Sequence, residues 1–366
     1  MPRLKGKRKG FAAARQHTAG GSRSDAKSGL LDEAIRLARQ GQYAESEALA
    51  RQALRLRSDD VDILNELGAA VWRQGRSAEA EAIFRRASEV QPNDYRVWNN
   101  LGITRYDQGH VDEACDYYRR ALRSNPQAFD ARMNLGIALS DQGKLDEAML
   151  WLQSAQELRP RSTDILQNIA VNLSRQGRAP EAIGYYEQLL QLRPDHAETH
   201  VNLAFALLCA GDYQRGWREF EWRLKTDNPP GYKINRTFWN GEDIHDRTIL
   251  IHTEQGFGDN LQFLRFAPLL KKRAGVVLAL CQTELLKLIA RCNGVDMALD
   301  GSSLEPQCDV HVPLLSLPAI LGITLETLPA QMPYLVTDKL LVDHWGAELA
   351  KAIRSEERRV GKECLE

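Results

Sequence analysis

Two sets of residues in this sequence have the types and spacing to do chemistry. The first is the run Glu254-Gln255-Gly256-Phe257-Gly258-Asp259-Asn260. Gly256 and Gly258 let a backbone turn sharply and come close to a ligand, and a helix opening behind them offers free N–H groups and a positive dipole end. Asp259 can take the proton of an attacking hydroxyl, as a general base does, or can cap the helix by bonding its first amides. Glu254 and Gln255 have the oxygens and nitrogen to hold a bound molecule, and Glu254 equally suits a solvent-facing strand end. The G-x-G-D spacing alone is too short for a nucleotide fingerprint. The second set is Asn100, Asn134, Asn168 and Asn202, each 34 residues after the last, with Glu66 in the corresponding place before them. A side-chain amide offers a donor and an acceptor, so such a row can grip a polypeptide backbone without reading its sequence. The same residues can instead bond neighbouring helices.

The remaining reactive residues give weaker signals. His252 stands alone one strand step before the glycine run, where a histidine is more often structural. His311 and Ser316 are candidates for lining a cleft, and no serine, histidine and acid set reads as a hydrolase triad. Six cysteines, Cys115, Cys209, Cys281, Cys292, Cys308 and Cys364, contain no C-x-x-C pair. That spacing points to neither a zinc site nor a disulfide framework, and it suits a reducing compartment.

The asparagine row belongs to a longer period. Glycine recurs at Gly41, Gly75, Gly109, Gly143, Gly177 and Gly211, and proline at Pro92, Pro126, Pro160 and Pro194, all in steps of 34. Leu67-Gly68, Leu101-Gly102, Leu135-Gly136, Ile169-Ala170 and Leu203-Ala204 keep the same phase, as do Ala80, Ala114, Ala148 and Ala182 and the aromatics Phe84, Tyr118, Tyr186 and Phe220. Each unit reads as two amphipathic helices: the glycine ends the first, a small residue lets the second approach, and proline ends the second. Trp72, Trp98, Tyr106 and Tyr118 fall at helical spacing and read as core. The pattern resembles the tetratricopeptide repeat, with six units over 27–230, the first (27–60) degenerate. That resemblance implies a solenoid whose concave face binds a polypeptide partner, and the asparagine spacing is similar to the ladder in O-linked N-acetylglucosamine transferases.

Beyond the repeats, Trp217, Phe220 and Leu224 share one helical face and should cap the solenoid by packing on the segment C-terminal to it. Asp227-Asn228-Pro229-Pro230-Gly231 breaks any helix and marks a boundary. From Thr248 short apolar runs alternate with helical stretches: strands over 248–253, 275–281 and 295–299, helices over 260–272 and 283–292. Alternation of this kind predicts a parallel sheet covered by helices, with the glycine run at the carboxyl end of the first strand, where ligands sit in such sheets.

Lys and Arg number 48 against 49 acids, which excludes the global basic field of a dedicated nucleic-acid binder, and 43% apolar residues exclude a wholly disordered chain. The balance hides a leader, residues 1–29, of charge +7 against −8 for the remainder. Its composition reads as a disordered basic leader over 1–26, and removal of residues 1–29 should leave fold and stability unchanged. No apolar run reaches the length of a membrane span or a signal peptide, and the chain reads as cytoplasmic.

F-W-N-G (238–241), the run from His252 to Leu270, D-V-H-V-P-L-L-S-L-P (309–318) and P-A-Q-M-P-Y-L (329–335) together resemble the heptosyltransferase-type glycosyltransferases, family nine. The resemblance implies that 231–353 is one Rossmann-like α/β half of a GT-B fold following the helical solenoid. It implies that Asp259 is the general base, that a nucleotide sugar is the donor substrate in the full-length parent, and that no metal or other cofactor takes part. R-S-E-E-R-R-V-G-K-E-C (354–364) resembles a translated sequencing adaptor, which implies a native frame cut near Ile353 and a chain that is catalytically silent by itself. The alternative reading is a non-catalytic scaffold carrying a relic transferase-like domain.

Overall fold

The computed structural model describes residues 24–254, 256–301, 307–330 and 334–363. Nearly all of the basic leader, Gln255 and Cys364 lie outside the described residues. The chain divides into two compact units, one up to Ala206 and one from Leu207.

The first unit is built of helix pairs: α1 (Ser24–Arg39) with α2 (Tyr43–Leu56), α3 (Val61–Arg73) with α4 (Ser77–Val90), α5 (Tyr95–Asp107) with α6 (Val111–Ser124), α7 (Phe129–Asp141) with α8 (Leu145–Leu158), and α9 (Thr163–Arg175) with α10 (Ala179–Leu192). Helix α11 (Ala197–Ala210) comes next and contains the divide. The period-34 glycines close the first helices in the left-handed region, with φ between 76° and 88° at Gly41, Gly75, Gly109, Gly143, Gly177 and Gly211. At the end of α3, Arg76 N–H bonds back to the Val71 carbonyl at 3.3 Å, so the glycine also lets an orphan carbonyl find a donor. Asp60 caps α3 by accepting from the Asp62 and Ile63 amides, and Asp94 caps α5 by accepting from Arg96.

Packing explains the other periodic positions. A Cβ at Gly68 would stand 2.5 Å from the Phe84 ring, and one at Gly102 2.5 Å from Tyr118, so the missing side chain is where the second helix's ring sits. Ala80, Phe84, Ala114, Tyr118 and Ala148 are buried in the same continuous core, and Leu152 is buried as well. First helices of successive units also touch one another, α1 with α3, α3 with α5, α5 with α7 and α7 with α9, which makes their side the inner face of the stack.

The second unit opens on α12 (Tyr213–Phe220), continued by a 3-10 turn over Glu221–Lys225. Gly216 packs against Leu208, and Trp217 sets its ring edge-on to Phe263 at 5.9 Å, so this helix does pack on the α/β part as its apolar face required. The strands are β1 (Thr237–Phe238), β2 (Ile244–His252), β3 (Ala274–Cys281), β4 (Met297–Asp300) and β5 (Val310–Pro313), in the order β1-β5-β2-β3-β4 with every neighbouring pair parallel. Between β2 and β3 the chain forms α13 (Phe257–Phe263), a 3-10 turn over Leu264–Phe266, and α14 (Ala267–Lys271). The single helix expected over 260–272 therefore begins earlier and is broken, because Pro268 at the start of α14 has no N–H to donate back into the preceding turn. The helix α15 (Leu286–Ile289) leads to β4, α16 (Leu317–Ile320) comes after β5, and α17 (Lys339–Glu363) continues as helix through the adaptor-like stretch.

From β2 the chain winds one way to β3 and β4, then returns to lay β5 on the other side of β2. That reversal is a topological switch point, the place at the carboxyl ends of the strands, here β2 and β5, where open α/β sheets bind ligands.

Candidate functional site

The switch point gathers the residues that come after β2 and β5. Gly256 is the N-cap of α13, with extended φ −63° and ψ 165°, and Asp259 is the third helical residue rather than the cap. Asp259 is half-buried and Gly256, Phe257 and Gly258 are exposed, so the loop presents its backbone and one carboxylate to the outside. Asn260 turns the other way: it is buried and donates to Gln282 Oε1 at 3.1 Å, which also accepts from Thr253 Oγ1 at 3.1 Å. These bonds tie the ends of β2, α13 and β3 together.

Glu254 is placed differently from a ligand-facing group. Its side chain is fully enclosed and both oxygens accept from Arg223 Nη2, at 3.1 and 2.9 Å. Arg223, from the turn after α12, also donates to Ser316 Oγ at 2.7 Å and, through Nη1, to Glu221 Oε1 at 2.6 Å, while Ser316 donates to Glu221 Oε2 at 2.8 Å. One guanidinium thus serves two carboxylates, and burial pushes the Glu254 carboxyl upward against the opposing pull of Arg223. The cluster clamps the end of α12 to the loops after β2 and β5. Ser316, a candidate cleft residue, is a fully buried member of it.

His252 and His311 come together across the β2–β5 pair. Their rings stack at 5.4 Å, with His252 Nε2 3.2 Å from His311 Nδ1. His311 also hydrogen-bonds the backbone at Arg236, and the tautomer that gives its proton to that carbonyl from Nε2 leaves Nδ1 to accept from His252. Burial first, then His311 and Arg223, hold the His252 imidazole down to about 3, so it is neutral at physiological pH. The sequence singled out each histidine separately; their register across two strands 59 residues apart was not readable from spacing. Arg223 and Tyr232 were missed altogether, since neither belongs to a local motif.

The asparagine row lies inside the first unit's stack. Asn100 donates to Asn65 Oδ1 at 3.1 Å, and Asn134 to Asn99 Oδ1 at 3.1 Å, so each amide reaches the preceding unit's first helix. Asn168 donates to its own helix at the Asp164 carbonyl, 2.9 Å away. These three are buried, whereas Asn202 is half-buried. A second row runs at the ends of the first helices: Trp72 Nε1 donates to Asp107 at 2.7 Å, Tyr106 to Asp141, and Arg175 to Asp141 at 2.6 Å. Trp72 and Tyr106 are half-buried, and Arg73, Asp107 and Asp141 are exposed. Among the described residues no group of three or more His, Cys, Asp or Glu side chains is placed to hold a metal ion, and no helix is long and apolar enough to cross a membrane.

Comparison with known proteins bears on the repeats. Family models described as tetratricopeptide repeat match residues 31–95, 99–163 and 173–216. Protein FlbA of Caulobacter vibrioides is 33% identical over 67 residues, which are 18% of this chain and 11% of FlbA. The chain thus spans about a tenth of that relative's length. Among solved structures, PilW, described as a type IV pilus biogenesis factor, is 19% identical with a TM-score of 0.50, over 57% of this chain and 94% of PilW. The APC/C assembly of Cut9 with Hcn1 is 14% identical with a TM-score of 0.51, over 54% of this chain and 40% of that one. Identities this low show the repeat fold alone, and the chain contains tetratricopeptide repeats followed by a small parallel α/β sheet.

Proposed function

We propose, from a chain whose residues 31–95, 99–163 and 173–216 match tetratricopeptide repeats, that the repeats hold a polypeptide on their inner face and that the α/β unit supplies the acceptor side of a sugar-transfer site. The observation that carries the second part is the half-buried Asp259 carboxylate, held on α13 at the carboxyl end of β2 beside the switch point. A carboxylate there can take the proton of an acceptor hydroxyl while Gly256 and Gly258 allow close backbone approach. The GT-B architecture, the nucleotide-sugar donor and the second half that would bind it belong to this reading through the family-nine resemblance. In the uninterrupted frame that this resemblance implies, Asp259→Asn should lower kcat for sugar transfer by roughly 10²–10⁴ while peptide binding holds. An unchanged kcat would sink the assignment of the base.

On the inner face, Asn100, Asn134 and Asn168 already spend their donors on the stack, and Trp72 and Tyr106 spend theirs on Asp107 and Asp141, so the proposed grip falls on the half-buried Asn202. One observation favours the scaffold reading for part of the loop: Glu254 is closed into the Arg223 clamp and has the place of a structural residue. Peptide-array binding separates the contributions. Asn202→Ala should weaken peptide capture, and Asn134→Ala should lower stability first.

A further inference from the structure

At the switch point one buried ring nitrogen has no use among the described residues. His252 is 3% exposed, meets His311 Nδ1 through Nε2 at 3.2 Å, and leaves Nδ1 with no hydrogen-bond partner among the described residues; in the tautomer that donates from Nε2, this nitrogen is a bare acceptor. A buried acceptor left unmade is costly, so the fold carries it against its own stability. What lies against this nitrogen is bare backbone. At Gly231, φ is +93°, and a Cβ there would stand 3.4 Å from His252 Nδ1 and 3.2 Å from Glu254 Cγ.

The next residue closes the place. Tyr232 sets its ring edge-on to His252 at 6.3 Å, and its hydroxyl bonds Thr253 at the end of β2. The same hydroxyl lies against Gly301 just past β4, where any Cβ would overlap it. From there the chain reaches Thr237 in β1, beyond β5, in five residues. The stretch 231–236 therefore runs over the carboxyl edge of the sheet, the edge on which open α/β sheets bind ligands.

We propose that His252 Nδ1 is the acceptor atom of a binding site for a neutral, hydroxyl-rich ligand, a sugar ring, and that Tyr232 is the latch that lies over it. The preference for a neutral donor of hydrogen bonds comes from the charges at this edge. Asp259 is half-buried there, Asp300 accepts from Thr283 at the end of β4, and Arg223 is shared between Glu221 and Glu254. Lys233 and Arg236 of the covering stretch are exposed, whereas the groups set directly against His252 Nδ1 are the Gly231 backbone, the Tyr232 ring and the enclosed Glu254, which disfavours a phosphate at this nitrogen and suits a hydroxyl. The choice of a sugar rests on the sugar-transfer reading above; the acceptor atom and the latch rest on the geometry.

The test uses the whole chain labelled with 15N at histidine, titrated with glucose, mannose and N-acetylglucosamine, with the His252 Nδ1 resonance as readout. At least one sugar should move that resonance, and Tyr232→Ala should tighten its binding by roughly three- to tenfold, because the closed latch reduces the binding-competent fraction. Gly301→Ala, which presses on the Tyr232 hydroxyl from the far side, should act in the same direction. Failure of all three sugars to move the resonance in wild type and in both variants, with helical circular dichroism retained, overturns the proposal. A shift of His252 in a protein whose parent transfers no sugar would keep this site and remove the transferase reading; transfer without any such shift would do the reverse.

Discussion

At the scale of single residues, buried polar groups dominate both the candidate site and the stack. Arg96 is almost fully buried and pairs with Asp94 and, at 2.7 Å, with Asp62 of the preceding unit. Arg96→Ala would strand two acids, and it should cost about 3–5 kcal/mol in urea melts, whereas an apolar replacement of all three should cost far less. Asn134→Ala removes the donor to Asn99 and leaves that oxygen buried; a loss of about 1–3 kcal/mol is expected from the same measurement. His252 gives a signed pH dependence. Its pKa falls from 6.5 in the unfolded chain to about 3 in the fold, so the unfolded state binds the extra proton between those values. Stability from this group is complete above pH 6.5 and is lost as pH drops toward 3, by at most about 1.4 kcal/mol per pH unit. Glu254, pushed upward, acts in the opposite sense above its ordinary value, gaining as pH falls. The difference between wild type and His252→Gln is therefore the quantity to measure, and a flat difference from pH 7 to 4 would contradict the burial argument.

Helices and strands differ in how plainly the sequence announces them. The first-helix ends were legible because a left-handed C-terminal residue without a Cβ is needed at every turn, and the glycine period records that need. Gly102→Ala tests the other glycine class: the added methyl meets the Tyr118 ring, and a loss of roughly 1–3 kcal/mol is expected in thermal melts. Ala170 and Ala204 hold the same phase in later units, so the loss should sit at the low end. The strands β1 and β5 were not legible as strands. They are two and four residues long, and their place is set by parallel partners, Phe238 opposite His311 and Ile249 opposite Val310, that lie far away in sequence. Short elements of this kind owe their conformation to burial and pairing, which a local pattern does not encode.

Across the whole molecule, the division into units falls within α11, earlier than the Asp227–Gly231 break suggests. The reason is packing: α12 keeps the repeat phase in sequence, yet its Trp217 and the nearby Arg223 find their partners at Phe263, Glu254 and Ser316. At the other end, α1 begins at Ser24, and Leu31 and Ala34 are buried in the stack. Deletion through residue 35 should therefore lower the melting temperature of the repeats.

The sequence by itself determined the solenoid, its phase, the helix termini and the sheet-forming character of the C-terminal part, because each of these rests on short-range backbone and side-chain requirements that recur at fixed spacing. It also singled out Asp259 and the two glycines as a loop with chemistry. Only the tertiary structure decided which polar residues stay open at the surface and which are closed into the fold. It enclosed Glu254 with Arg223, buried three of the row asparagines between units, and joined His252 to His311 beneath Tyr232. Those outcomes depend on which distant groups meet in a low-dielectric interior, where an unmet hydrogen bond or charge is costly, and no local spacing carries that information.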